Sequence, residues 1–120
     1  MIEIKNFNKI AKNLLDGLHG EKTLFQRALG RGSDKPNLMI SLKGVARITI
    51  PPGESNSYHT HENEEQVYIV IRGKGIVQVA EEKMNARAGD VIYLPPKIGH
   101  SFYNNTEKTT IILNIGARTE

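Results

Sequence analysis

Apolar positions near the start of the chain recur with a helical period. Phe7, Ile10, Ala11, Leu14, Leu15 and Leu18 follow i, i+3, i+4, i+7, i+8 spacing, with Gly17 and Gly20 to stop the run. This predicts a short amphipathic helix within residues 1–20. His19 is then most simply a residue of the helix C-terminus, where partial positive charge is tolerated.

Beyond residue 20 the period changes to two. Residues 23–29 read as a first strand, 30–37 (GRGSDKPN) as a mobile loop by composition, and 38–50 as a longer strand. Within that strand Ala46, Ile48 and Ile50 alternate with Val45, Arg47 and Thr49, and Pro51-Pro52-Gly53 ends it. Further strands are read at 66–71, 76–80, 91–94, 101–103 and 109–115, each bounded by Gly, Pro or an Asn-Asn-Thr-Glu type of turn. Short strands at this spacing predict an all-β domain, a sandwich or barrel, over residues 21–120. In the strand after Gln66, Val67, Ile69 and Ile71 alternate with Tyr68 and Val70, so both faces are apolar. Something must cover the outer face, either the N-terminal helix or a second copy of the chain, and a homodimer is the expectation.

A length of 120 residues suits one domain. The absence of cysteine excludes disulfides and thiolate ligands, so any metal must be held by nitrogen and oxygen. The net charge of +3 comes from sixteen basic residues scattered among thirteen acids, with no basic run, which argues against a nucleic-acid partner and leaves small anionic metabolites open. No apolar run approaches the roughly eighteen residues of a membrane span, and MIEIKNFNKI lacks the apolar core of a signal peptide. The expected location is cytoplasmic, with no membrane contact.

The chemistry concentrates in two stretches. His59 and His61 are two residues apart, so in extended backbone both imidazoles point the same way. The polar run 62–65 reads as a turn, and the strand opening at Gln66 and closing at Gly73-Lys74-Gly75 brings a further donor back beside them. His100, at the start of a later strand after Pro95-Pro96, supplies the last donor. His59, His61, Gln66 and His100 would make a compact set of three nitrogens and one oxygen, open to water, substrate or dioxygen on a metal that accepts five or six ligands. Glu64, on the face of Gln66 if the strand extends back, is the alternative to it.

These two stretches, residues 53–73 and 89–104, resemble the paired motifs of the cupin superfamily. Gly53, His59, His61 and Gly73 fit the first motif, with Gln66 where the family usually has glutamate; Gly89, Pro95, His100 and Asn104 fit the second, with Lys97 in place of its second glycine. The resemblance implies a double-stranded β-helix, the jelly-roll barrel, and commonly a dimer. A neutral amide cancels none of a cation's charge, so looser metal binding is expected, and Gln66→Glu is expected to tighten retention. The donor set suits one divalent transition metal ion, Fe, Mn, Ni, Cu or Zn, without choosing among them.

Alternation puts Tyr68 and Val70 on the inward face of Gln66, and Phe102 and Asn104 on that of His100, as pocket wall. Tyr68 is the candidate proton donor, and Arg47 would clamp a substrate carboxylate if it faced inward. Tyr93 and Lys97 near the barrel mouth are lesser candidates, and Lys97 implies a turn that does without positive φ or accepts strain. Functionally the resemblance spans dioxygenases, isomerases, decarboxylases and lyases, which points to a small metalloenzyme acting on a small polar metabolite. A non-catalytic cupin that binds or senses a small ligand, with or without metal, is the alternative, and histidines retained in a metal-free barrel are a third reading.

Overall fold

The computed structural model of this chain describes residues 4–10, 13–14, 22–30 and 41–119. Its strands are β1 (Asn13–Leu14), β2 (Leu24–Gly30), β3 (Leu42–Ile50), β4 (Ser55–His59), β5 (Glu64–Arg72), β6 (Lys74–Val79), β7 (Glu82–Arg87), β8 (Val91–Leu94), β9 (His100–Tyr103) and β10 (Thr110–Arg118). They pair antiparallel into a six-stranded sheet, ordered β1-β2-β3-β10-β5-β8, and a four-stranded sheet, ordered β4-β9-β6-β7. This is the all-β architecture that the spacing predicted, in the two-sheet jelly-roll form that the resemblance implied. A sharp corner carries the chain from β5 in one sheet to β6 in the other. Gly73 has φ +87° there, and a Cβ on it would stand 2.7 Å from Thr110 Oγ1 and 2.9 Å from the Thr109 carbonyl, so no larger residue fits.

Inward positions of both sheets meet in one core of Ile48, Ile50, Tyr68, Val70, Leu94 and Phe102, with Val77, Ala86 and Ile112 completing it. Tyr68, Val70, Ile112 and Phe102 are each at most 1% exposed. The outer face of the six-stranded sheet is apolar as well. Leu113 pairs with Ile69 and Ile115 with Val67, and Ile69 and Val67 pair in turn with Val91 and Tyr93 of β8. Val91, Tyr93 and Ile71 of this face are more than half exposed.

The expected N-terminal helix is corrected by the structure. Its described part is a single 3-10 turn at Phe7–Lys9, followed by β1, which pairs with β2 through Asn13 and Phe25, Leu14 and Leu24. The carbonyls of Phe7 and Ile10 accept from the Gln26 amide at 2.6 and 2.8 Å, the former while also accepting from Ile10 N–H at 3.2 Å within the turn. The open edge of β2 and this side chain outcompete local helix propensity, which is a weak term in a short segment. Ala11, Leu15, Leu18, His19, the expected loop at 31–37 and the expected start of a strand at 38 lie outside the described residues. Among the described residues, no helix is long and apolar enough to cross a membrane.

Candidate metal centre

A bulge, not simple alternation, delivers His59. Asn56 of β4 faces inward opposite Phe102, and strict alternation from it would turn Tyr58 inward and His59 out. The β4–β9 register slips between these positions, so that His59 pairs with His100 while Tyr58 is 52% exposed. The extra residue resets the phase of the strand, a frequent role of bulges beside functional sites. His61 lies just beyond β4, anchored through its carbonyl, which accepts from the Lys97 backbone N–H at 2.7 Å. His100 opens β9 and is 2% exposed.

The three rings converge. His59 and His100 have ring centroids 4.4 Å apart, His59 and His61 4.8 Å, and His61 and His100 5.6 Å. One nitrogen from each lies within 4.8 Å of the others. Donors at about 2.1 Å from one ion stand up to about 4.2 Å apart, so small ring rotations bring the triad onto a single cation. His59 Nδ1 lies 2.6 Å from the Ser57 carbonyl; as its donor, Nδ1 leaves Nε2 with the lone pair a metal needs, the arrangement by which a backbone carbonyl fixes a metal-binding tautomer.

Gln66 supplies oxygen to the same cavity. It is 6% exposed, its Nε2 donates to Glu64 Oε2 at 2.8 Å, and its Oε1 is buried with no hydrogen-bond partner among the described residues. A buried amide oxygen without a partner costs about 1–3 kcal/mol, and a cation beside the histidines would satisfy it. The residues therefore fit a metal, with three imidazole nitrogens and one neutral oxygen.

Three of the four, His59, His61 and Gln66, line a cavity of about 120 Å³ together with Glu64, Arg27 and Tyr68 among others. It adjoins a second space of about 250 Å³ that shares His61, Gln66 and Arg27 and adds Lys43. The Tyr68 hydroxyl accepts from Asn56 Nδ2 at 2.6 Å. Burial pushes this phenol far above its ordinary pKa, the Asn56 hydrogen bond offsetting a little of the rise and the Glu64 charge adding to it, so Tyr68 stays a neutral O–H.

With the site's geometry in place, the relatives fall into line. The family profile described as Cupin domain matches residues 46–116, more than half of the chain. The chain belongs to the cupin family. Among the cupin's relatives are an uncharacterised protein of Methanocaldococcus jannaschii, 33% identical over 70 residues, and an oxalate-binding protein of Thermotoga maritima, 34% identical over 59 residues. These alignments cover 58% and 49% of this cupin but only 56% and 49% of the two relatives' own lengths. A crystal structure from Thermotoga maritima, described as a predicted oxalate decarboxylase, superposes with a TM-score of 0.85 at 21% identity, covering 97% of this chain and 99% of that one. At that identity the likeness establishes the barrel and nothing finer.

Within the cupin barrel the residues marked in the sequence separate into groups. His59, His61 and His100 converge, and His59, His61, Gln66 and Tyr68 share a cavity. Val70 and Phe102 are core side chains and do not line it. Asn104 is a structural knot: its amide donates to the Ile50 and Lys108 carbonyls at 2.9 and 2.7 Å while its oxygen accepts from Thr106 N and Oγ1. Arg47 sits on the far face of β3 from Ala46 and Ile48, where it donates to Gln26 Oε1 at 2.8 Å and covers the Phe7 ring. Tyr93 is exposed on β8 and donates to Glu65 at 2.8 Å. Lys97, where the cupin motif has glycine, takes φ +67°, so the turn accepts the strain.

The sequence reading missed Arg27, Asn114 and Lys43. Arg27 and Phe25 of β2 lie opposite Ala46 and Ile48 of β3 and so face the cavity. Asn114 carried a usable signal, because it is the one polar residue in the run from Ile111 to Ile115 of β10.

Proposed function

We propose that this cupin binds a divalent transition metal at His59, His61, His100 and Gln66, and that it acts there, as a small metalloenzyme, on a small carboxylate. The observation that carries the reading is one confined cavity lined by His59, His61 and Gln66 together with Arg27. A bound divalent ion would polarise a ligand oxygen. Arg27 offers the planar fork that pairs with a carboxylate, and its guanidinium lies 5.0 Å from the Phe25 ring centre, which limits its swing. Tyr68, held neutral by burial, has a proton to donate. The two adjoining spaces, about 120 and 250 Å³, together lie near the lower end of the roughly 300–1,000 Å³ of sites for drug-sized ligands, so the ligand is small. The names that refer to oxalate, carried by a relative and by a solved structure that are both from Thermotoga maritima, support a small acid of this class.

A purely binding role is the second reading, favoured by the relative named for binding oxalate. The test loads the protein with Fe, Mn, Ni, Cu or Zn and offers oxalate and other short carboxylates, following heat release and consumption of the acid in parallel. Binding with turnover, both weakened at least about 10-fold in Arg27→Ala, supports the enzyme. Binding without turnover supports the second reading, and no binding of any acid by the loaded protein rejects the carboxylate assignment.

We assign the apolar outer face of the six-stranded sheet to a second copy of the chain. Ile69, Leu113 and Ile115 face outward in register there, and among the described residues the N-terminal turn is held beside β2 and β3, by Gln26 and Arg47.

A further inference from the structure

In this chain the glutamate expected of the metal motif is replaced by Gln66, and an acid stands two residues earlier. Glu64 and Gln66 share the inward face of β5, and Glu64 Oε2 accepts from Gln66 Nε2 at 2.8 Å. A carboxylate only accepts hydrogen bonds, so this contact fixes which end of the amide is which. The nitrogen must face Glu64. The oxygen is thereby left at the other end, buried and with no hydrogen-bond partner among the described residues.

Two features hold Glu64 in that place. Gly116 of β10 lies in register with Gln66, and the Glu64 carboxylate rests in the space a side chain at 116 would fill; the three atoms that an added Cβ would meet first all belong to Glu64. On the other side Lys43 Nζ comes within 3.9 Å of Glu64 Oε1. Lys43 reaches it from an irregularity in β3, where the register with β10 passes from Gly44 to Leu42 and skips Lys43.

We propose that Glu64 is the positioning residue of the metal centre: seated on Gly116, it orients the Gln66 amide so that Oε1 serves as the fourth donor beside His59, His61 and His100. The negative charge that a ligating carboxylate would have carried is kept, one group farther out. This rests on the metal reading above and adds to it a residue that would act through Gln66 rather than on the ion.

The test uses the full chain, stripped of metal and titrated with Mn²⁺, Ni²⁺ and Zn²⁺, with urea unfolding of each metal-free variant as the control for folding. Glu64→Ala is expected to weaken metal binding about 10-fold or more, the usual effect of removing a group that orients a ligand. Glu64→Gln keeps an acceptor oxygen and is expected to restore most of the loss. Gly116→Ala, which alters no donor and no charge but displaces the Glu64 carboxylate, is expected to weaken binding as well without lowering the urea midpoint. In a Gln66→Ala background, Glu64→Ala should cost nothing further. Unchanged binding in Glu64→Ala overturns the inference while leaving the metal reading intact, and so do losses in the two single variants that simply multiply in the double variant. A wild-type protein that takes up none of the three ions overturns the metal reading and this inference with it.

Discussion

Lys97 holds a left-handed backbone conformation, φ +67°, that costs a non-glycine residue about 1 kcal/mol or more. Its amide anchors the His61 carbonyl, and among the described residues its ammonium donates to the Glu62 carbonyl at 3.2 Å. Lys97→Gly is therefore expected to raise stability by up to about 1 kcal/mol, the gain reduced by the greater freedom of glycine in the unfolded chain. Urea unfolding of the metal-free protein checks it, and a lower midpoint would contradict it. Phe102 and Asn104 make the complementary case. Both are 0% exposed and neither lines the cavity of the histidines. Phe102→Ala should cost about 3–5 kcal/mol through the hole it leaves, and Asn104→Ala about 2 kcal/mol or more through its orphaned partners. The conservative Phe102→Leu should bind ligand like wild type. Calorimetry showing specific loss of ligand from a folded Phe102→Leu would return that residue to the pocket wall. The convergence of the histidines was legible because His59 and His61 are spaced two apart and His100 opens a strand after Pro95-Pro96. Phe102 and Asn104 were misplaced because alternation reports which face a residue takes, not how far along the barrel it sits.

At the scale of elements, phase was harder to read than strand identity. Residues 91–94 were found as a strand with the bounds of β8, and β5, β6, β9 and β10 were recovered to within a few residues. The bulge in β4 left no mark in the sequence, because Tyr58 and His59 are both plausible inward residues and only pairing with β9 decides between them. β2 was read as a strand to within a residue at either end, but not its phase: Phe25 and Arg27 alternate with Gln26 and Ala28, and each series mixes apolar and polar side chains. β7 escaped notice because it is an edge strand with Ala86 as its one buried residue. The N-terminal helix was overread because a short 3.6-residue pattern also suits a segment laid against a sheet. Arg47 and Gln26 hold that segment, Arg47 donating to Asn8 as well at 3.3 Å. Arg47→Ala should lower stability by about 1–2 kcal/mol and leave metal affinity unchanged. A large loss of metal affinity in a folded Arg47→Ala would contradict the separation of the two faces of β3.

For the molecule as a whole, one sheet face makes the barrel interior and the other is the face proposed to meet a second copy. The wild-type chain is expected to sediment at twice its chain mass, and Ile69→Lys, which places a charge among Val91, Leu113 and their neighbours, should sediment as a monomer. A wild-type monomer at high micromolar concentration would contradict the assignment of that face. Inside the barrel the central claim is the metal, since Gln66, Glu64, Arg27 and Tyr68 take their roles from it. It is tested most directly by elemental analysis of untagged protein purified without chelators, beside His100→Ala prepared in the same way. The expected result is about one transition-metal ion per chain in the wild type, lost from a His100→Ala protein that remains folded. No metal in either protein, even after reconstitution with Fe, Mn, Ni, Cu and Zn, would contradict the account.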